Sequence, residues 1–268
     1  MLNFLFNKFY GISIKLNSIF CLNLSFKLFN KPLSVSKAED HYKISSQKEV
    51  VYMPQLERIY IYLDTYVGVK TRLDNLFDQY FLDYIQFNEN DIVVDCGAHL
   101  GELSYFFDDK KVTYYAFEPS SRLQKCLEKN IRLNIKDYEI INKPLLDVEQ
   151  KLKLYLRDES GDTSVEADSK APFEYVESLR LDSFFEKNSK IKLLKIDAEG
   201  YELEMIKGTF NLLKDIEYIS IDAGYERNNE TESPFLDVDK FLTENNFKIL
   251  KSHEARKTFL YHNSSLLA

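Results

Sequence analysis

The 268-residue sequence has no tryptophan, only three cysteines and only four histidines. Cys21, Cys96 and Cys126 form no CxxC pair and the histidines are scattered, which removes a zinc site and a disulfide framework as organising elements. A chain this poor in cysteine is at home in a reducing cytoplasm. No run approaches the roughly 20 apolar residues of a membrane-spanning helix. Basic excess is missing as well. Against 43 acids stand 35 lysines and arginines, a net charge of −8, which argues against a nucleic-acid-binding protein. Internal repeats and low-complexity tracts are also lacking.

Charge is present but unevenly spread. Residues 1–38 contain Lys8, Lys15, Lys27, Lys31 and Lys37 and no acid; the first acid is Glu39. Lysines break every apolar run there, so the uninterrupted core of a signal peptide is not formed. "ISIKL" and "LNLSFKL" alternate with period two, which predicts short strands. Residues 1–60 are thus expected to form an N-terminal arm or hairpin with a polar linker from residue 39, leaving the main domain at 61–268. The basic arm suits peripheral contact with the inner face of an anionic membrane.

Beyond the linker, "RLDNLFDQYFLDYIQF" (72–87) has helical spacing. A regular alternation follows. "DIVVDCG", "VTYYAFEP", "YEIINKP", "KLLKID" and "IEYISIDAG" are short apolar runs stopped by turn or acidic residues. Helical faces separate them, in "LSYFF" and in a segment that Ser120 can cap. "KLKLYLR" reads as an antiparallel strand, and "FKIL" with "KTFLYHN" as a terminal antiparallel pair. Strands alternating with helices predict an α/β fold with a mostly parallel sheet covered on both faces. Ligands in such sheets sit beyond the carboxyl ends of the strands.

Asp95, Gly97 and Gly101 end the first of these strands, where glycines allow a tight turn close to a ligand. Glu118 ends the second strand, at roughly the 20-residue spacing of an acid that hydrogen-bonds a ribose. A nucleoside-containing cofactor is indicated. His99 stands where a dinucleotide fingerprint would place its second glycine and would crowd a pyrophosphate. This favours S-adenosylmethionine over NAD, with Asp95 able to receive the cofactor's ammonium. An NAD-type oxidoreductase and a non-catalytic scaffold that keeps the fold are the competing readings.

"VVDCGAHLGELS", "YYAFEPS", "LRLDSFF" and above all "LLKIDAEGYELEMIKG" resemble the FkbM family of S-adenosylmethionine-dependent methyltransferases, over roughly Asp91 to Phe247. The resemblance implies a class I methyltransferase (Rossmann-like) fold with a mixed seven-stranded sheet, and O-methylation of a sugar or polyketide-like product. It implies that Asp95, Gly97 and Gly101 surround the methionine end of the cofactor, that Glu118 holds the ribose, and that Asn142 lies near the adenine. His99 departs from the Gly-Ala-Asn segment usual in the family, which puts the contact to the methionine carboxylate in question.

An alcohol sheds its proton as it attacks a methyl group, so a carboxylate near the transfer point helps. Asp197, just beyond the fourth strand, is the expected general base or acceptor-orienting residue, with Glu199 second. Glu202 and Glu204 suit the first turn of a helix, where acids are favoured. Asp197, Glu199 and Asp222 together have the oxygen chemistry for a Mg²⁺. Asp182 reads as a helix cap, His253 and His262 as surface residues, and the aromatic-rich segment 58–87 as a cap on the pocket. The expected protein is a cytoplasmic O-methyltransferase of polysaccharide biosynthesis acting on a glycan or small-molecule substrate.

Overall fold

The computed structural model describes residues 2–63, 67–156, 163–164, 172–198, 200–224, 233–253 and 256–267. The chain opens with two helices where strands were expected, α1 (Leu2–Lys15) and α2 (Ile19–Leu28). They are joined through Asn17, whose φ is 46°, and the Ser18 side chain caps α2 by accepting the Cys21 amide. Phe6, Leu22 and Phe26 are buried, while other apolar residues of both helices face outward. Helices that are apolar on two faces lose the one-sided periodicity of a surface helix, which is why the segment imitated strands.

The expected linker is also ordered. β1 (Ser34–Ala38), β2 (His41–Ser46) and β3 (Glu49–Met53) form an antiparallel meander. Its buried positions include His41 and Ser46 as well as Ile44, Val51 and Met53, so polar residues masked the alternation. A 3₁₀ turn at Glu57–Tyr62 leads to α3 (Val69–Gln79). This helix is shorter than the expected 72–87, because Phe81 takes a left-handed conformation, φ 58°, and breaks it just past Tyr80.

The α/β body follows: β4 (Ile92–Cys96), a 3₁₀ turn at Glu102–Phe107 in place of the expected helix, β5 (Thr113–Phe117), α4 (Gln124–Asn134), β6 (Asp137–Ile141), β7 (Lys151–Leu156), β8 (Thr163–Ser164), β9 (Phe173–Glu177), α5 (Leu181–Phe184), β10 (Ile191–Ile196), α6 (Glu202–Lys207), a 3₁₀ turn at Phe210–Asp215, β11 (Ile216–Asp222), α7 (Phe235–Glu244), β12 (Phe247–His253) and β13 (Thr258–Asn263). Seven strands form one sheet in the order β12-β13-β11-β10-β4-β5-β6. The five strands β11-β10-β4-β5-β6 are parallel, and β13 runs antiparallel to both β11 and β12. This is the class I methyltransferase architecture. "KLKLYLR" is antiparallel as expected, in a separate small sheet of order β8-β7-β9.

Strands buried on both faces explain the continuous apolar runs. Val94, Leu194, Ile196 and Ile219 pack toward Met205, Ile206 and Leu242. Val93, Tyr114 and Leu193 pack toward Leu127 and Ile131 on the other side. Several polar expectations change. Ser120 does not cap α4, whose N-cap is Leu123. Asp182 pairs with Arg180 at 2.7 Å and accepts the Asn211 amide at 3.3 Å, so it caps the Phe210–Asp215 turn from outside. His262 is buried beside Tyr218, and His253 stacks on Phe81. Among the described residues no helix is long and apolar enough to cross a membrane.

The N-terminal elements are welded to this body. One continuous core joins Phe6, Leu22, Val51, Ile59, Tyr62 and Leu73 to Leu100, Leu123 and Cys126. At its seam, buried Asn130 of α4 acts as a substitute strand for β3. Its Oδ1 accepts the Tyr52 amide at 2.7 Å, and its Nδ2 donates to the carbonyls of Tyr52 (2.9 Å) and Leu100 (2.8 Å). Asn130→Ala strands three backbone groups at a cost of about 1–3 kcal/mol each. Urea unfolding of this variant should show a loss of about 3 kcal/mol or more; a loss below about 1 kcal/mol would mean that apolar packing alone holds the meander.

Candidate active site

β4 and β10 lie side by side with Asp95 opposite Lys195. Both side chains are buried, at 1% and 4% exposure. Lys195 Nζ sits 3.0 Å from Asp95 Oδ1 and donates to the carbonyls of Cys96 (3.1 Å) and Gly97 (2.8 Å). Two ammonium protons thus go to carbonyls, while the contact with Asp95 Oδ1 is an ion pair and leaves that oxygen without a hydrogen-bond donor. Burial works against the charge, yet Asp95 and then Asp197 outweigh it, and the Lys195 pKa lies above its ordinary value. Tyr114 donates to the other oxygen of Asp95 at 2.5 Å. Asp95 is therefore held by protein groups on both oxygens. Lys195 was not anticipated, although a lysine between Leu194 and Ile196 in a fully buried strand is itself a signal, since such a charge needs partners.

The turn after β4 follows from this anchor. Gly97 has φ 71°, and a Cβ there would lie 2.0 Å from the Asp197 carbonyl oxygen. Only glycine lets the β4 turn and the β10 loop touch backbone to backbone. His99, with φ 51°, places Nε2 at 2.8 Å from Arg58 Nη1. Burial first, then Arg58 and Arg72, push its pKa well below the ordinary histidine value, so it is a neutral acceptor. Gly101 does different work: its α-carbon lies against Leu127 and Ile131 of α4, and it does not line the cavity. Glu118 Oε2 accepts the His99 amide and Oε1 accepts the Ser120 amide, both at 2.9 Å. Burial raises its pKa to about 7 against the lowering effect of those amides. Asn142 is exposed and outside the cavity lining, its amide best satisfied by donating to the carbonyls of Pro119 (2.7 Å) and Glu118 (3.1 Å).

Asp197 opens the loop after β10. Its side chain is 31% exposed, its Oδ2 accepts the Tyr80 hydroxyl at 2.6 Å, and Lys195 lies 4.0 Å away. Glu199 lies outside the described residues. Glu202, expected to be a solvated acid at a helix start, is fully buried and closes the loop by accepting the amides of Ala198 (3.1 Å) and Gly200 (3.0 Å). Burial raises its pKa to about 7. Asp222 accepts Gln79 Nε2 at 2.9 Å and does not line the cavity; burial and then Asp197 raise its pKa to about 6. Among the described residues, Asp197 and Asp222 gain no third acid or histidine at coordinating distance. The one grouping with that spacing is Glu39, Asp40 and His41, where Asp40 is already paired with Lys125.

These elements enclose a cavity of about 200 Å³ at the carboxyl ends of β4, β5 and β10. Asp95, Gly97, His99, Glu118 and Asp197 all reach it. Segment 58–87, expected to cover the pocket, supplies Arg58, Arg72, Leu76 and Tyr80. Glu102 joins the wall, accepting the Tyr62 hydroxyl at 2.8 Å and lying 3.5 Å from Arg72. Arg58, Arg72 and Tyr80 belong to no motif and were legible only as members of that segment.

Residues 95–249 match the family model described as the methyltransferase FkbM domain. No curated protein matches the sequence. Among solved structures the fold is similar to magnesium protoporphyrin IX methyltransferase from Synechocystis PCC 6803 with bound SAM, at 13% identity and TM-score 0.44, over 78% of this chain and 90% of that one. It is similar to a SAM dependent methyltransferase from Aquifex aeolicus, at 16% identity and TM-score 0.40, over 72% and 93%. An rRNA methylase from Streptococcus thermophilus matches at 15% identity and TM-score 0.39, over 69% and 92%.

Lys195→Met leaves Asp95 charged, buried and without its cation, which costs about 3–5 kcal/mol. Adding Asp95→Asn should recover part of that loss in urea unfolding. If the double variant is no more stable than Lys195→Met alone, the pair is not the anchor of the turn.

Proposed function

Because the chain belongs to the FkbM methyltransferase family, we propose that it is an S-adenosylmethionine-dependent O-methyltransferase acting on a hydroxyl of a sugar, in a surface glycan or a glycosylated metabolite. The observation that carries this reading is the Asp197 carboxylate. It is partly exposed at the cavity, one oxygen fixed by Tyr80, directly beside the Gly97 turn.

The residues present fit the cofactor. Glu118 stands at the cavity wall with spare lone pairs on both oxygens, which suits a ribose diol. Arg58, Arg72 and the neutral His99 offer a basic side for a carboxylate. Phe117, Pro119, Leu145, Leu146 and Leu154 offer apolar surface for a flat base. Asp197, the most exposed of the lining carboxylates, favours a cation beside it. When bound, S-adenosylmethionine supplies a methyl group on a cationic sulfur for in-line transfer to an oxygen nucleophile. Asp197 accepts the proton that the sugar hydroxyl sheds, while Tyr80 keeps the carboxylate oriented. An acidic chain favours a neutral acceptor over a polyanion such as RNA.

Asp197→Asn should lower methyl transfer to glycan fractions by about 10²–10⁴-fold with S-adenosylhomocysteine affinity preserved; near-normal turnover would put the base elsewhere. Absence of S-adenosylhomocysteine binding together with clear NADH binding would remove the methyltransferase reading. Glu118 gives a pH signature. In the free protein it loses its proton near pH 7, and ribose hydroxyls donate to the ionised form, so binding releases a proton. Affinity measured by calorimetry should rise about tenfold between about pH 6 and about pH 8. Glu118→Gln should weaken binding and flatten that rise; an unchanged slope would take Glu118 out of the site.

A further inference from the structure

The α1–α2 hairpin carries an apolar surface that the methyl-transfer site does not use. Leu5, Phe9 and Ile12 along α1 and Leu16 just past its end recur at helical spacing and are exposed, and so are Phe20, Leu24 and Leu28 along α2. The most exposed are Leu16 at 65% and Phe20 at 76%, which bracket the turn between the helices, so the two stripes meet at the hairpin tip. The opposite sides of the helices are already engaged, since Phe6, Leu22 and Phe26 enter the core. At 3.6 residues per turn, Lys8 and Lys15 run along one edge of the α1 stripe and Lys27 along an edge of the α2 stripe. All three are exposed, as is Lys37, and no acid precedes Glu39. The rest of the chain is strongly acidic.

We infer that the hairpin is a docking surface for an anionic lipid bilayer. It lies in the plane of the membrane with the leucine and phenylalanine stripes in the headgroup–acyl boundary and the lysines against lipid phosphates. Charge complementarity selects this occupant. A second copy of the chain, paired about a two-fold axis, would bring lysine edges onto lysine edges. The lysine border also distinguishes this patch from an ordinary exposed leucine, because apolar insertion and anionic attraction act on the same face. Neither helix crosses the bilayer.

The test is vesicle co-sedimentation of the full chain. Vesicles of phosphatidylcholine with about 30 mol % phosphatidylglycerol should pellet the protein, and phosphatidylcholine alone should pellet about tenfold less. Leu16→Ser/Phe20→Ser should lower binding to the anionic vesicles by about tenfold or more, as should Lys8→Gln/Lys15→Gln/Lys27→Gln. Both variants should keep S-adenosylhomocysteine affinity, since the cavity lies elsewhere, so loss of fold is separated from loss of docking. The inference is overturned if the wild-type chain stays in the supernatant with anionic vesicles, or if the variants pellet as it does. A stable dimer by light scattering that Leu16→Ser/Phe20→Ser converts to monomer would overturn it in favour of self-association.

Discussion

The buried ion pair of Lys195 and Asp95 constrains the whole site. A lone charge in the middle of a parallel sheet is too costly to keep, so each partner must be matched by an opposite charge. Lys195 spends its other protons on the carbonyls of Cys96 and Gly97, and Asp95 takes the Tyr114 hydroxyl. Those bonds pull the end of β4 inward against the start of the β10 loop, where only a glycine leaves room for the Asp197 carbonyl. The Gly97 turn and the proposed base are thus set by the same ammonium. The arrangement also sorts the acids by exposure. Asp95, Glu102 and Glu118 are almost closed off, whereas Asp197 keeps 31% of its side chain open. Its neighbours supply field and geometry, and Asp197 is left able to meet a substrate.

Glu202 and Glu118 extend the same logic outward. Each is a buried carboxylate that accepts two backbone amides of a loop, Glu202 those of Ala198 and Gly200 on one oxygen, Glu118 those of His99 and Ser120 on its two oxygens. Acids that look alike in "DAEGYELE" therefore part ways. One reaches the cavity and one is a clasp. Their roles follow from which loop folds back over which side chain, and that is a tertiary fact.

This is also the limit of what the sequence made legible. The parallel strands were readable because burial on both faces produces unbroken apolar runs, and the strand-end rule then pointed to Asp95, Gly97, Glu118 and Asp197, all of which reach the cavity. Gly101 was readable as a turn glycine, and the structure adds that a side chain there would run into Leu127 and Ile131. Asn142 ended the right strand yet lies outside the cavity lining. The N-terminal third was misread for a physical reason. Pattern reasoning assumes one wet face and one dry face, and α1 and α2 are apolar on both, while β2 buries His41 and Ser46.

That misreading and the cavity wall have a common origin. The core that holds the hairpin through Phe6, Leu22 and Phe26 continues through Ile59, Tyr62 and Leu73. The same short elements carry Arg58 and Arg72 into the cavity. Tyr10 of α1 even reaches the Glu57 carbonyl, at 3.5 Å, one residue from Arg58. An element that only decorated the fold would not share a core with the cavity wall. Because residues 1–38 hold five lysines and no acid, the remainder of the chain is more acidic than the −8 of the whole. Near an anionic surface such a molecule is turned by its own field, hairpin inward and acidic body outward. The proposed docking face and the placement of Arg58 and Arg72 then share one packed core, which Asn130 of α4 ties to β3.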